Sequence, residues 1–312
     1  MDGIKPRQPS TWDLQPRQGR RSVARGEAPR TRLLLLTALA LIAIKPAQAD
    51  EPYPIQRTVR YSLTVRNTTA EPVEGAEVRV YAPVKETATQ QTIGLDISQP
   101  FEVLEDDLGN QVVCLQFDLP AYGVRAVSVE ARVAFATSPT PVRLAGVEQL
   151  TGPAPFIEVD HPLIHEAATK LGGTSPEDIA RRAYEWVADH VIESGYVAED
   201  LGALSTLKVG KGDCTESMYL FIALVRARGI PARGVEGFVI RGDAVLRAQE
   251  FHNWAEYYAG ETWHLADPQR RVLGPAEEQY LAMRIIESPA AGPAATTRRF
   301  EALHPALEVR LE

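Results

Sequence analysis

The sequence predicts an α+β protein, with a run of strands first and a mixed helix-and-strand segment after it. Three observations carry this. Residues 57–135 alternate apolar and polar side chains with a period of two, and no helical stripe interrupts them. A proline-rich stretch then separates the halves. Beyond it lie an amphipathic helical pattern, an almost wholly apolar one, and two short strand patterns. Strands grouped before helices, without regular β-α alternation, mark the α+β class and not a doubly wound sheet.

The first 49 residues read as an address. Arg30 and Arg32 precede an apolar run from Leu33 to Ile44, and Ala47-Gln48-Ala49 follows as an A-x-A cleavage site. Twelve residues rise only about 18 Å as a helix, short of a hydrocarbon core near 30 Å. The expectation is a signal peptide over 1–49 and an exported protein, periplasmic or secreted, after cleavage near Ala49. Lys45 at the end of the run leaves an uncleaved anchor as the alternative, the one route to the membrane.

Residues 50–135 read as a β-sandwich domain. Thr58 to Val65 is β-branched and aromatic with strict alternation, and Asn67 to Glu74 supplies a turn. Glu77 to Tyr81, Val112 to Phe117 and Val124 to Val133 repeat the pattern, with Asp107-Leu108-Gly109-Asn110 as a further turn. Nothing here gathers catalytic side chains. Cys114 lies in the third of these strands, where a free cysteine acts as a small buried hydrophobe. A disulfide to Cys214 is the disfavoured alternative. Residues 136–162, with five prolines, form the linker.

The second domain is expected over 163–285. Ser175-Pro176-Glu177-Asp178 supplies an N-cap, a proline at the first helical position and acidic first-turn residues. Ile179, Ala183, Trp186, Val187 and Val191 then lie on one face. Asp213 and Glu216 are spaced as a capping box, placing Cys214 in the first turn of a helix whose run from Met218 to Val225 is apolar. Such a helix belongs in a core, and its N-terminal end favours a thiolate. In the strand pattern from Phe251, alternation puts His252, Trp254 and Glu256 on one face. A second short strand from Thr262 ends at Asp267. Nucleophile, base and base-orienting acid is the logic of activated-nucleophile catalysis, although three such residues in this order also arise by chance. The tail, 286–312, is left without assigned structure.

Four motifs in order then bear on the matter. They are Gly212-Asp213-Cys214-Thr215-Glu216, Arg226-Ala227-Arg228-Gly229-Ile230-Pro231-Ala232-Arg233, His252-Asn253-Trp254-Ala255-Glu256 and Trp263-His264-Leu265-Ala266-Asp267-Pro268. Together they resemble the core of the transglutaminase-like superfamily, strongly over residues 160–275, and the preceding β region is similar to the N-terminal modules of bacterial exported members. The resemblance implies a papain-like core with the cysteine helix packed on an antiparallel sheet. It also implies that Cys214 attacks an amide or ester carbonyl to form a thioester, that His252 shuttles the proton, and that Asp267 holds the imidazole. Asp267-Pro268-Gln269 departs from the family's D-P-T by one residue beyond the carboxylate.

Other residues carry plainer expectations. Arg226 and Arg233 are read as structural, and Trp254 and Trp263 as core or site walls. His264 lacks the H-x-W-x-E context that favours His252. The backbone N–H of Cys214 can serve an oxyanion, and Tyr196, Ser205 and Thr206 are only positional candidates for a second donor.

Charge and composition exclude several classes. Residues 1–49 carry nine Lys or Arg against three Asp or Glu, a net of +6; taken from the chain's −8, this leaves −14 for the rest. So acidic a body gains nothing from counterion release on a polyphosphate, so no nucleic acid is expected as partner. The six histidines and two cysteines show no zinc-site spacing, and no D-x-D-x-D-G calcium loop occurs, so no cofactor or metal is expected. The expected partner is a peptide or protein substrate, hydrolysed or transferred at an amide, with peptidase or amidase action favoured over crosslinking. The alternatives are a non-catalytic module that holds a peptide in the same groove, and a synthetic enzyme fed by a carrier-bound acyl chain.

Overall fold

The computed structural model describes residues 51–141, 147–196, 199–276, 279–286 and 299–312. The expected signal peptide lies outside them. Six strands come first: Ile55–Asn67 (β1), Val73–Ala82 (β2), Gln90–Ile97 (β3), Phe101–Glu105 (β4), Gln111–Leu119 (β5) and Val124–Phe135 (β6). Helices Pro162–Lys170 (α1) and Pro176–His190 (α2) follow, then Ile192–Glu193 (β7), Ala203–Val209 (α3), Lys211–Gly212 (β8) and Cys214–Arg226 (α4). The chain continues as Ala232–Ile240 (β9), Ala244–Val245 (β10), His252–Ala259 (β11), Thr262–Asp267 (β12), Val272–Leu273 (β13) and Gln279–Ile286 (β14). It ends with Phe300–Ala302 (β15) and Leu307–Leu311 (β16).

Two sheets face each other in the N-terminal part. One has the order β10-β1-β6-β3, with β16 also on β1; the other runs β15-β2-β5-β4. Alternation explains their shared core. Val59, Tyr61, Leu63 and Val65 of β1 point inward and meet Val78 and Val80 of β2, Leu115 and Phe117 of β5, and Val127 and Val129 of β6. Two strands here, β3 and β4, are absent from the sequence expectation. Four of the five residues of β4 are exposed, and β3 mixes two buried, four half-buried and two exposed residues, so neither shows a clean apolar face. Cys114 is buried on β5 beside Tyr81 and Val112, and both cysteines are free thiols.

The third sheet, β13-β12-β11-β9-β14, is antiparallel throughout and carries α4. Its face toward α4 is built from Ala232, Ala255, Tyr257, Ala259 and Ala266; α1, α2 and α3 contribute Ile164, Ala183, Val187 and Ala203 to the same core. With the sheet on one side and three helices around the others, α4 has no wet face, and every residue from Glu216 to Arg226 is buried. This is why its sequence lacks an amphipathic stripe.

The sandwich and this sheet share material. Phe238, Ile240, Leu281 and Met283 of β9 and β14 enter the sandwich core. Gln90 bonds both the N–H of Ala282 (2.7 Å) and its carbonyl (3.0 Å), while Asn110 does the same for Ile285 (2.6 and 3.0 Å). Two buried amides thus grip β14 around its bulge between Ala282 and Arg284. The tail returns to the N-terminal sheets: Phe300–Ala302 pairs with β2, and Leu307–Leu311 with β1.

Candidate active site

Cys214 is the first residue of α4, and its neighbours explain why it sits still. Asp213 caps the helix, accepting from the Thr215 N–H at 2.8 Å, while Glu216 Oε2 accepts from the Asp213 N–H at 3.1 Å. Glu216 Oε1 takes the Leu201 N–H at 3.2 Å, so the cap also anchors the loop before α3. Burial pushes the Glu216 carboxyl up, with hydrogen bonding to Asp213 adding to the effect. Gly212 is required here, because a Cβ would collide with the Glu216 side chain. Parallel pairing of Ile192 and Glu193 with Lys211 and Gly212 fixes the approach from the other side.

His252 opens β11, and Asp267 closes β12. His252 Nε2 and Asp267 Oδ2 are 2.6 Å apart, with side chains 12% and 1% exposed. With Nε2 engaged by Asp267, Nδ1 is the ring nitrogen left for the thiol, and Cys214 lies within electrostatic reach of the ring. Burial pulls the His252 pKa down, but Asp267 and Cys214 outweigh it and lift the ring to about 9. At neutral pH the imidazole is therefore an imidazolium.

Asp267 is itself held by more than the histidine. The Tyr280 hydroxyl donates to Oδ2 at 2.9 Å, and the Arg270 N–H donates to Oδ1 at 3.1 Å. Trp254 meets the Tyr280 ring edge-on at 5.1 Å and stacks beside His252 at 6.3 Å. Tyr280 is absent from the sequence expectation. Its strand, β14, lies three places from β12 in the sheet, a proximity that local spacing cannot reveal. Asn253 is a second omission: its Nδ2 donates to Thr215 Oγ1 at 2.8 Å, tying the strand of His252 to the helix of Cys214.

The remaining sequence candidates disperse. His264 Nε2 is 3.0 Å from the Ala259 carbonyl and its ring stacks on Tyr257, so these partners are not those of the candidate site. Among the oxyanion candidates, Tyr196 is 85% exposed. Thr206 spends its hydroxyl on the Gly202 carbonyl at 2.8 Å. Ser205 is half-buried on α3. Arg226 bonds the carbonyls of Ala232 and Gly152. Arg233 pairs with Glu256 at 2.8 Å, both almost fully buried, and lies 4.0 Å over the ring of Trp263. Both arginines hold the frame together.

Residues 165–268 match the model of the transglutaminase-like superfamily core, so the chain carries a transglutaminase-like domain with the Cys214 helix, His252 and Asp267 inside it. Among solved structures, the chain is similar to one described as "a Putative Cysteine Protease from Cytophaga hutchinsonii", at 18% identity and a TM-score of 0.53, over 83% of this chain and 92% of that one. That likeness extends the shared fold across the N-terminal strands. The periplasmic domain of TgpA from Pseudomonas aeruginosa aligns at 14% identity and a TM-score of 0.39, over 68% of this chain and 90% of that one. No curated protein matches the chain.

Proposed function

We propose that this is an exported thiol enzyme that cleaves or transfers peptide-type amides through a thioester on Cys214. The observation that carries the reading is the 2.6 Å contact between His252 and Asp267, with the Asn253–Thr215 bond holding the strand of His252 to the buried helix that Cys214 opens. The name of the Cytophaga hutchinsonii protein supports the same class of chemistry.

In this mechanism the thiolate of Cys214 attacks the carbonyl carbon, and the carbonyl π electrons move to oxygen. The Cys214 N–H, one of the unpaired donors of the α4 N-terminus, stabilises that oxyanion. Collapse of the intermediate breaks the C–N bond, and the imidazolium of His252 gives its proton to the departing amine. Water, deprotonated by the now neutral imidazole, then attacks the thioester, releasing the acid and the thiolate. Asp267 keeps Nε2 protonated throughout, so Nδ1 is the only nitrogen that exchanges a proton. An amine in place of water gives transamidation by the same steps.

Hydrolysis is favoured over calcium-dependent crosslinking, since no D-x-D-x-D-G loop occurs in the sequence. Profiling with a glutamine-containing peptide library, with and without added amine, tests this. Release of the free acid in both conditions is the expected result. Product only with amine would make the enzyme a transamidase, and no turnover in either would favour a peptide-holding module.

A further inference from the structure

The two elements that carry the thiol and the imidazole both start at the site: α4 at Cys214 and β11 at His252. Alternation along β11 puts Asn253, Ala255, Tyr257 and Ala259 on the face toward α4, and His252 on the other. Away from the site the helix and the strand meet through apolar groups, with the rings of Phe221 and Tyr257 edge-on at 6.3 Å. Such burial is non-directional and does not by itself set one register. At the site end the contact changes character. Asn253 Nδ2 donates to Thr215 Oγ1 at 2.8 Å, and each of these residues is the chain neighbour of a reacting group. Either orientation of the amide keeps this bond, because a hydroxyl both donates and accepts.

The other contacts of His252 bind it to the sheet. Asp267 belongs to β12, Trp254 to β11 itself, and Gly237, which has no side chain, stands opposite His252 on β9. These hold the imidazole to the sheet and not to the helix. The amide of Asn253 also carries an energetic cost. Among the described residues no group bonds its Oδ1, which is sealed from solvent. A buried acceptor left unpaired costs at least as much as one neutral hydrogen bond contributes, so an apolar side chain of similar shape would serve the fold at least as well. An unpaired polar atom kept beside a reacting centre points to a task other than stability.

We propose that Asn253 is a positioning residue: its bond to Thr215 sets the register of β11 against α4, and thereby the distance from the His252 imidazole to the Cys214 thiol. This rests on Cys214 being the nucleophile and His252 its base. Misplacement of reacting groups by about 1 Å costs on the order of a hundredfold in rate, so one bond at this place governs reactivity.

The rate at which iodoacetamide labels Cys214, where the thiolate displaces iodide, reads this geometry without knowledge of the natural substrate. Asn253→Leu and Thr215→Val should each slow labelling by roughly tenfold. The double variant should be no slower than either, because both break the same bond. Thr215→Ser keeps the hydroxyl and should recover most of the rate. In a His252→Ala background Asn253→Leu should change nothing, since it acts through the imidazole. The urea midpoint of Asn253→Leu should not fall below that of the wild type. Wild-type labelling in both Asn253→Leu and Thr215→Val, with His252→Ala still slow, refutes the positioning role and leaves the nucleophile standing. Equal slowing by Asn253→Leu with and without His252 refutes it as well. If Cys214 reacts no faster than Cys114 in the wild type and in His252→Ala alike, the nucleophile reading fails and this inference with it.

Discussion

The Tyr280 hydroxyl and His252 Nε2 share one oxygen, Asp267 Oδ2, at 2.9 and 2.6 Å. The carboxylate that steadies the imidazole is therefore itself steadied from a strand three places away in the sheet. Removing the hydroxyl in Tyr280→Phe leaves Oδ2 of Asp267 with one donor fewer and its hold on the imidazolium stronger. The expected result is an upward move of the alkaline limb of kcat/KM, with kcat lowered by less than about tenfold and KM unchanged, as for one lost hydrogen bond of about 1 kcal/mol. A pH profile superimposable on the wild type would show that the hydroxyl only fills space.

The raised pKa of His252 predicts a pH window. A group whose folded pKa lies above its ordinary 6.5 stabilises the fold fully below that value, and the contribution is lost as pH rises through about 9. The term is on the order of 3 kcal/mol for a shift of this size. Denaturant unfolding at pH 7 and pH 10 should show the loss in the wild type and not in His252→Ala. In activity, kcat/KM should fall as pH rises through about 9, because the leaving amine then lacks its acid. Asp267→Asn should bring that fall to lower pH.

The Arg233–Glu256 pair gives a prediction about the frame. Both side chains are nearly sealed from solvent, at 3% and 8% exposure. Glu256→Ala strands a buried guanidinium and should cost about 3–5 kcal/mol in chemical denaturation, whereas replacing both by Met and Leu should recover most of it. Equal losses in the single and double variants would show that the pair is not the source.

Much of this site is legible along the chain because it is built from local signals. The capping box at Asp213 and Glu216, the N-cap at Ser175 and the alternation of β11 each act within a few residues, and all appear in the structure. What local pattern misses is long-range. The tail looks featureless because β15 and β16 are short strands completing sheets whose partners lie more than 200 residues earlier. Tyr280 reaches the site by the same kind of return, through β14, and it sits in no motif.

Export makes a separate prediction. Chain recovered from outside the cytoplasm should begin at Asp50 on N-terminal sequencing. Retention of Arg32 would place the leader's apolar run in the mature protein and contradict cleavage after Ala49.

The most direct test of the central claim is the rate at which iodoacetamide labels each thiol near neutral pH. The account predicts fast labelling of Cys214, slow labelling of the buried Cys114, and a marked slowing at Cys214 in His252→Ala. Equal and slow labelling of both thiols, unchanged by that substitution, would contradict it.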